Sequence, residues 1–146
     1  MLKETQNSAM NKKKICLAIP GLGGGGSERV MSSLANEFSK NKDLDVHIVL
    51  YVKNEIFYSL NKNIKTHTVQ FNYKRFPAWI YSIKIFMFLR NTFKKIKPDY
   101  LLSFNGNYNS FVLVAAFGLG IKCYVSDRSR PGIKYGLFAD LFNPIV

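Results

Sequence analysis

Apolar and polar positions follow one another along this chain in two rhythms. Ile15 to Pro20 is a short apolar run closed by glycine, the pattern of a buried strand. From Ser27 to Lys40 the apolar residues Val30, Met31, Leu34, Ala35 and Phe38 fall at helical spacing. Ser27 fits the N-cap of that helix, Glu28 suits its positive start, and the helix is expected to stop near Asn41 to Asp43. Asp45 to Val52, "DVHIVLYV", is β-branched and predicts a second strand, and Ile64 to Val69 alternates weakly as a third. Phe57 to Leu60 reads as a helical turn between them. Pro77 to Lys97 predicts one long helix, with Pro77 tolerated in its first turn and Pro98 just past its end. Tyr100 to Phe104 is a fourth strand. Asn109 to Leu119 is an apolar helix with Asn109 near its cap and Gly118 and Gly120 near its end. Ile121 to Ser126 is a fifth strand, and residues 134–142 begin a further helix.

Strands alternating with helices predict an α/β fold: a Rossmann-like, mostly parallel sheet flanked by helices, with right-handed crossovers. In such sheets ligands bind outside the carboxyl ends of the strands. Three loops belong to those ends: residues 21–27, 105–109 and 127–133. A chain of 146 residues suits one domain. Residues 1–13 are polar and unpatterned and are expected as a disordered tail before a domain spanning 14–146.

Composition adds a charge question. The formal net charge is +12 and the pI is about 9.8. That excess fits nucleic acid, an anionic membrane surface or a phosphorylated small molecule, and equally a merely solvated basic face. No known nucleic-acid motif accompanies it, so nucleic acid is not an expected partner. Cys16 and Cys123 sit in strand-like runs and read as small buried hydrophobes. Without a C-x-x-C pair or a His cluster, no metal is expected, and His47 and His67 read as structural. Lys12-Lys13-Lys14 before "ICLAIPGL" mimics a signal peptide, but Pro20 interrupts the run and no cleavage pattern follows. No stretch approaches the roughly 18 apolar residues of a spanning helix.

The candidate chemistry lies in the three loops. Gly21, Gly23 and Gly26 satisfy G-x-G-x-x-G between a strand and a helix. Exposed N–H groups and the helix dipole there favour a phosphate, and a tight turn without a ligand is the alternative. A dinucleotide site would need an acid at the end of the second strand, where Lys53 stands instead. In "SFNGNYNS", Asn105, Asn107 and Asn109 offer amides suited to hydroxyl-rich ligands, and are also ordinary turn formers. In "SDRSRPG", Asp127 suits a base or a hydroxyl-orienting group and Arg128 a phosphate clamp, with a surface ion pair as the alternative. The helix from Pro77 joins Trp79 and other aromatics to Arg90, Lys94, Lys95 and Lys97. That is the composition of an interfacial membrane helix, or of a core helix with a basic tail.

Three segments together resemble a known family. "KKICLAIPGLGGGGSERVMSSLANEFSK" is similar to the amino-terminal start of family 4 glycosyltransferases, which have the GT-B fold. "KPDYLLSFNGNYNSF" resembles their Pro-Asp-strand-Ser-Phe segment, and "GLGIKCYVSDRSRP" their Gly-strand-Ser-Glu-Arg/His segment. The resemblance spans most of residues 12–133. It implies the transfer of a sugar from a nucleotide sugar to a polysaccharide or lipid-linked acceptor, with retention and without a metal or other cofactor. It implies a cytoplasmic protein, peripheral at the inner membrane face, of the kind that builds bacterial capsule or lipopolysaccharide. The glycine loop would lie beside donor phosphates or acceptor, which maps onto Gly24, Gly25, Gly26, Ser27, Glu28 and Arg29, with Asn105 and Arg128 as further substrate contacts. Asp127 takes the place of a family Glu and is the candidate catalytic carboxylate. The resemblance also implies that the donor-binding carboxy-terminal domain is absent. The chain alone is then expected to be inactive or nearly so, needing that domain or a partner polypeptide. A docking module without catalysis and an NAD-dependent oxidoreductase are the competing readings.

Overall fold

The computed structural model describes residues 12–52, 55–71 and 77–126. Five parallel strands, β1 (Lys13–Ile19), β2 (Leu44–Leu50), β3 (Lys65–Thr68), β4 (Tyr100–Phe104) and β5 (Lys122–Ser126), form one sheet in the order β3-β2-β1-β4-β5. Three helices connect them: α1 (Gly26–Phe38), α2 (Ala78–Ile96) and α3 (Gly106–Ala116). This is the expected Rossmann-like α/β sheet. Lys13 opens β1, so the strand begins inside the stretch expected as tail. The expected helical turn at Phe57–Leu60 is not helical. Its backbone instead bonds across to the glycine loop, Phe57 N–H donating to Leu22 O at 2.8 Å. The helix pattern at 134–142 lies outside the described residues.

Alternation within the central strands sends successive side chains to opposite faces, and both are apolar because both are covered. Leu17 and Ile19 of β1 pack with Ile48 and Leu50 of β2 beneath Met31 and Ala35 of α1. Cys16 and Ala18 point the other way, with Val49 and Leu101, beneath Leu89 and Phe93 of α2 and Val112 of α3. Phe93 is fully buried, which is worth roughly 2–3 kcal/mol of transfer free energy. Burial also pushes the Cys16 thiol well above its ordinary range, so it is an inert core group.

The helices end on identifiable devices. α2 stops at Lys97, left-handed at φ 51°, with Pro98 following. Lys14 Nζ donates to the carbonyl of Ile96 in the last turn at 3.0 Å. Past α3, Gly118 and Gly120 take φ of 73° and 70°, which only glycine adopts at little cost.

Candidate functional site

The carboxyl ends of β1 and β4 are neighbours, and the chain leaves them toward opposite faces, into α1 and into α3. That divergence opens a crevice at the switch point of a parallel sheet. Both helices begin there, so two positive helix starts flank one opening.

The first wall is the glycine loop. Leu22 is fully buried and anchors it. Pro20 O accepts from Val52 N–H at 2.7 Å, and Gly25 O accepts from the Tyr58 hydroxyl at 3.2 Å. Gly24, Gly25 and Gly26 stay exposed on this support, as does Arg29, while Ser27 and Glu28 are half-buried. A Cβ at Gly23, Gly24 or Gly26 would meet nothing within 4 Å. None of the three has a positive φ. Neither crowding nor backbone conformation within the described chain therefore requires glycine at these positions. Gly25 differs, because the Glu28 carboxylate folds back against it.

The expected N-cap at Ser27 is corrected. Gly25, extended at φ −83° and ψ 171°, holds that position without a side-chain cap. Its carbonyl already accepts from Arg29 N–H at 3.1 Å, so the helix starts before the serine. Glu28 then stands at the third helical residue, where a carboxylate can face the free N–H groups of the first turn.

The second wall follows β4. Asn105 is the only residue between strand and helix, and its φ of 148° is a conformation glycine adopts more readily. Its carbonyl accepts from the N–H groups of Tyr108 and Asn109, both at 3.0 Å. Asn105 is half-buried at the opening. Asn109, expected near the cap and as a ligand amide, lies inside the helix and is 2% exposed. It is a strut instead: Ser103 Oγ donates to its Oδ1 at 2.7 Å, and its Nδ2 donates to Ser126 O at 3.3 Å. This network, which sequence reading missed, ties β4, α3 and the end of β5 together. Its signal is Ser103, a lone hydroxyl inside an apolar strand. Asp127, Arg128 and Lys53 lie outside the described residues.

The proposed membrane residues fall on α2. Ile85, Leu89, Phe93 and Ile96 are buried, whereas Trp79 is 67% exposed and Ile83 and Met87 share its outward stripe at intervals of four. Lys94 and Lys95 are exposed. Arg90 is not presented outward: its guanidinium donates to Ala115 O at 3.2 Å and Phe117 O at 3.1 Å, closing the carboxyl end of α3. Among the described residues no helix is long and apolar enough to cross a membrane. Nor do three His, Cys, Asp or Glu side chains gather there as a metal site would require.

The architecture is thus a Rossmann-like sheet with a glycine-lined crevice at its switch point. No protein-family profile matches the chain. In sequence it is 33% identical over 119 residues to the GalNAc-alpha-(1->4)-GalNAc-alpha-(1->3)-diNAcBac-PP-undecaprenol alpha-1,4-N-acetyl-D-galactosaminyltransferase of Campylobacter jejuni. That match takes in 80% of this chain, and the chain spans 33% of the relative's length. In structure it is similar to a UGT transferase from Siraitia grosvenorii solved in complex with UDP, with a TM-score of 0.57 and 13% identity. That likeness covers 77% of this chain and 27% of the transferase, and it shows the fold. The sequence similarity leads to a glycosyltransferase, and the structural likeness shows a shared fold.

Proposed function

We propose that this chain is the amino-terminal, acceptor-side half of a GT-B glycosyltransferase of the family 4 type. The enzyme moves a sugar, with retention and without a metal, from a nucleotide sugar to a glycan or lipid-linked acceptor at the cytoplasmic membrane face. One observation carries the reading: Gly23, Gly24 and Gly26 border open space and are not demanded by the fold. Glycines that the chain does not need are explained by a ligand that approaches the backbone closely.

The roles follow from position. The loop N–H groups and the start of α1 face the anionic diphosphate or the acceptor. Arg29 supplies a mobile cation, and Glu28 keeps the first turn of α1 rigid beside Gly25. The Asn105 amide orients a hydroxyl. Asn109 fixes the end of β5, and of the residues that follow in sequence Asp127 serves as base and Arg128 as phosphate clamp. A crevice open on its outer side leaves the reacting groups in water, where preorganised charge stabilises little. A second domain must close the crevice, so the 146-residue chain alone is inactive.

The test is transfer of labelled sugar from a panel of nucleotide sugars to extracted lipid-linked glycans. It is run with the 146-residue chain and with the native product isolated through an antibody to this domain. Transfer by the native product alone is expected. Transfer by neither removes the enzyme reading, and transfer by the isolated chain removes the need for a second domain. The outward stripe of Trp79, Ile83 and Met87 favours a second reading, a docking module that uses α2. Under it, Trp79→Ser abolishes docking on vesicles or on a partner transferase.

A further inference from the structure

α2 closes on a set of cations that the fold does not require. Lys94 stands in its last turn, Lys97 at its cap, and Lys122 opens β5 nearby. An ammonium at the carboxyl end of a helix suits the dipole, which accounts for Lys94. It does not account for the backbone of Lys97, left-handed at φ 51° and ψ 62°, where glycine is favoured and a Cβ is strained. Nor does it account for Lys122, which belongs to a strand and lies over the Tyr100 ring at 5.6 Å. Among the described residues none of the three has a carboxylate partner.

These cations surround a hollow of about 620 Å³. That lies within the range of small-molecule sites, about 300–1,000 Å³. Lys13 and Asp99 complete its rim. The Asp99 carboxylate accepts from Lys14 N–H at 2.8 Å and pairs with Lys13 at 3.6 Å. The acid at the rim is thus already matched, and the charges of Lys94, Lys97 and Lys122 are left over. The floor between them is apolar. Pro98 is buried there, Tyr100, Leu119 and Ile121 are half-buried, and the positive φ of Gly118 and Gly120 turns the chain so that Leu119 and Ile121 line the wall. A second hollow, of about 470 Å³ near the start of β2, lacks this combination. Its Lys65 is held by Asp45 at 2.8 Å, and Leu44 is its one apolar side chain.

We propose that the hollow at the end of α2 is a second ligand site, for a soluble nucleoside polyphosphate. Lys94, Lys97 and Lys122 meet the phosphate oxygens as point charges, and the base packs on Leu119 and Ile121. Cations alone would take any anion; the apolar floor selects one that carries a flat apolar body. Repulsion among the three ammonium groups weighs on the empty domain and is relieved when phosphates arrive. The strained backbone of Lys97 fixes one of those charges at the mouth. The strands set this hollow about 20 Å from the crevice, at the opposite edge of the sheet. Its occupant cannot reach the crevice and is a ligand apart from the sugar donor. The inference does not rest on the transferase reading.

The test is calorimetric titration of the 146-residue chain with ATP in magnesium-free buffer, beside inorganic triphosphate and adenosine. ATP is expected to bind about tenfold tighter than triphosphate, because the base buries apolar surface, and adenosine without phosphates should bind far more weakly. Raising salt from about 0.1 to 0.5 M should weaken ATP binding. Lys94→Gln with Lys122→Gln should weaken it roughly tenfold, at about threefold per lysine, while circular dichroism stays native. Lys84→Gln should leave it unchanged. Lys97→Gly should raise Tm by roughly 2 °C and yet weaken ATP binding, so that stability and affinity move in opposite directions. Three outcomes overturn the proposal: no binding at millimolar ATP, triphosphate bound as tightly as ATP, or ATP binding that survives the lysine pair and falls with Arg29→Gln, which would place the ligand at the crevice.

Discussion

Replacing Gly26 by alanine separates a glycine kept for the fold from one kept for a ligand. Gly26 is the first residue of α1, its φ is not positive, and a Cβ there meets nothing within 4 Å. The unfolded chain loses conformational freedom when glycine becomes alanine, and the folded chain loses no contact. Gly26→Ala should therefore stabilise the domain by about 0.5–1 kcal/mol. For a chain of this length that raises Tm by roughly 2–3 °C. Thermal and urea denaturation of the 146-residue chain read the effect directly. A fall in Tm would mean that the fold itself demands glycine, and a ligand in the crevice would no longer be needed to explain it. In the complete enzyme the larger Gly26→Val should lower sugar transfer by a factor of ten or more while leaving the domain folded. The same position would then be stabilised by one methyl group and disabled by a branched side chain, a split that a purely structural turn does not produce.

Two further outcomes follow from buried polar contacts. Asn109→Ala leaves the Ser103 hydroxyl and the Ser126 carbonyl without their partner and should cost about 1–3 kcal/mol in urea unfolding, whereas Ser103→Ala should cost less. His47 Nδ1 and His67 Nε2 face each other at 2.9 Å and share one proton between them. Burial lowers the pKa of His47 and outweighs the pull of Asp45 at 3.3 Å, while burial and then repulsion from His47, Lys95 and Lys65 lower that of His67. Both folded values lie below the unfolded value near 6.5, so this contribution to stability is full above that pH and is lost as pH falls through it. The urea midpoint should drop between pH 7.5 and 5.5 and flatten in His67→Gln, and an unchanged slope in that variant would remove the pair as the cause.

Much of this architecture was legible in the residues because each element has one dominant rhythm. The apolar run at Ile15 and the spacing of Met31, Leu34 and Ala35 led to β1 and α1 directly. The starts of the helices were harder. Ser27 and Asn109 both look like caps, since a polar residue before an apolar stretch is the usual sign. In the fold, Gly25 turns the chain before Ser27, and a one-residue connection at Asn105 starts α3 before Asn109. Tertiary packing sets those starts, and spacing along the chain does not carry it. The aromatic helix also divided in a way composition concealed, with Phe93 buried, Trp79 outward and Arg90 turned onto the end of α3. The glycine loop was visible at once as a candidate. That the fold does not need its glycines emerged only from the space around them.

The strand order has a consequence for synthesis. β1 is made first and sits in the middle of the sheet, between an early neighbour, β2, and a late one, β4. The bond from Lys14 N–H to Asp99 joins positions 85 residues apart. At about 5–20 residues per second, β1 waits some 4–17 seconds for its second neighbour. During that interval β1, β2, β3 and α1 can gather on the ribosome with one strand edge open. The crevice is the seam where this early half meets the late half, the last line along which the domain closes.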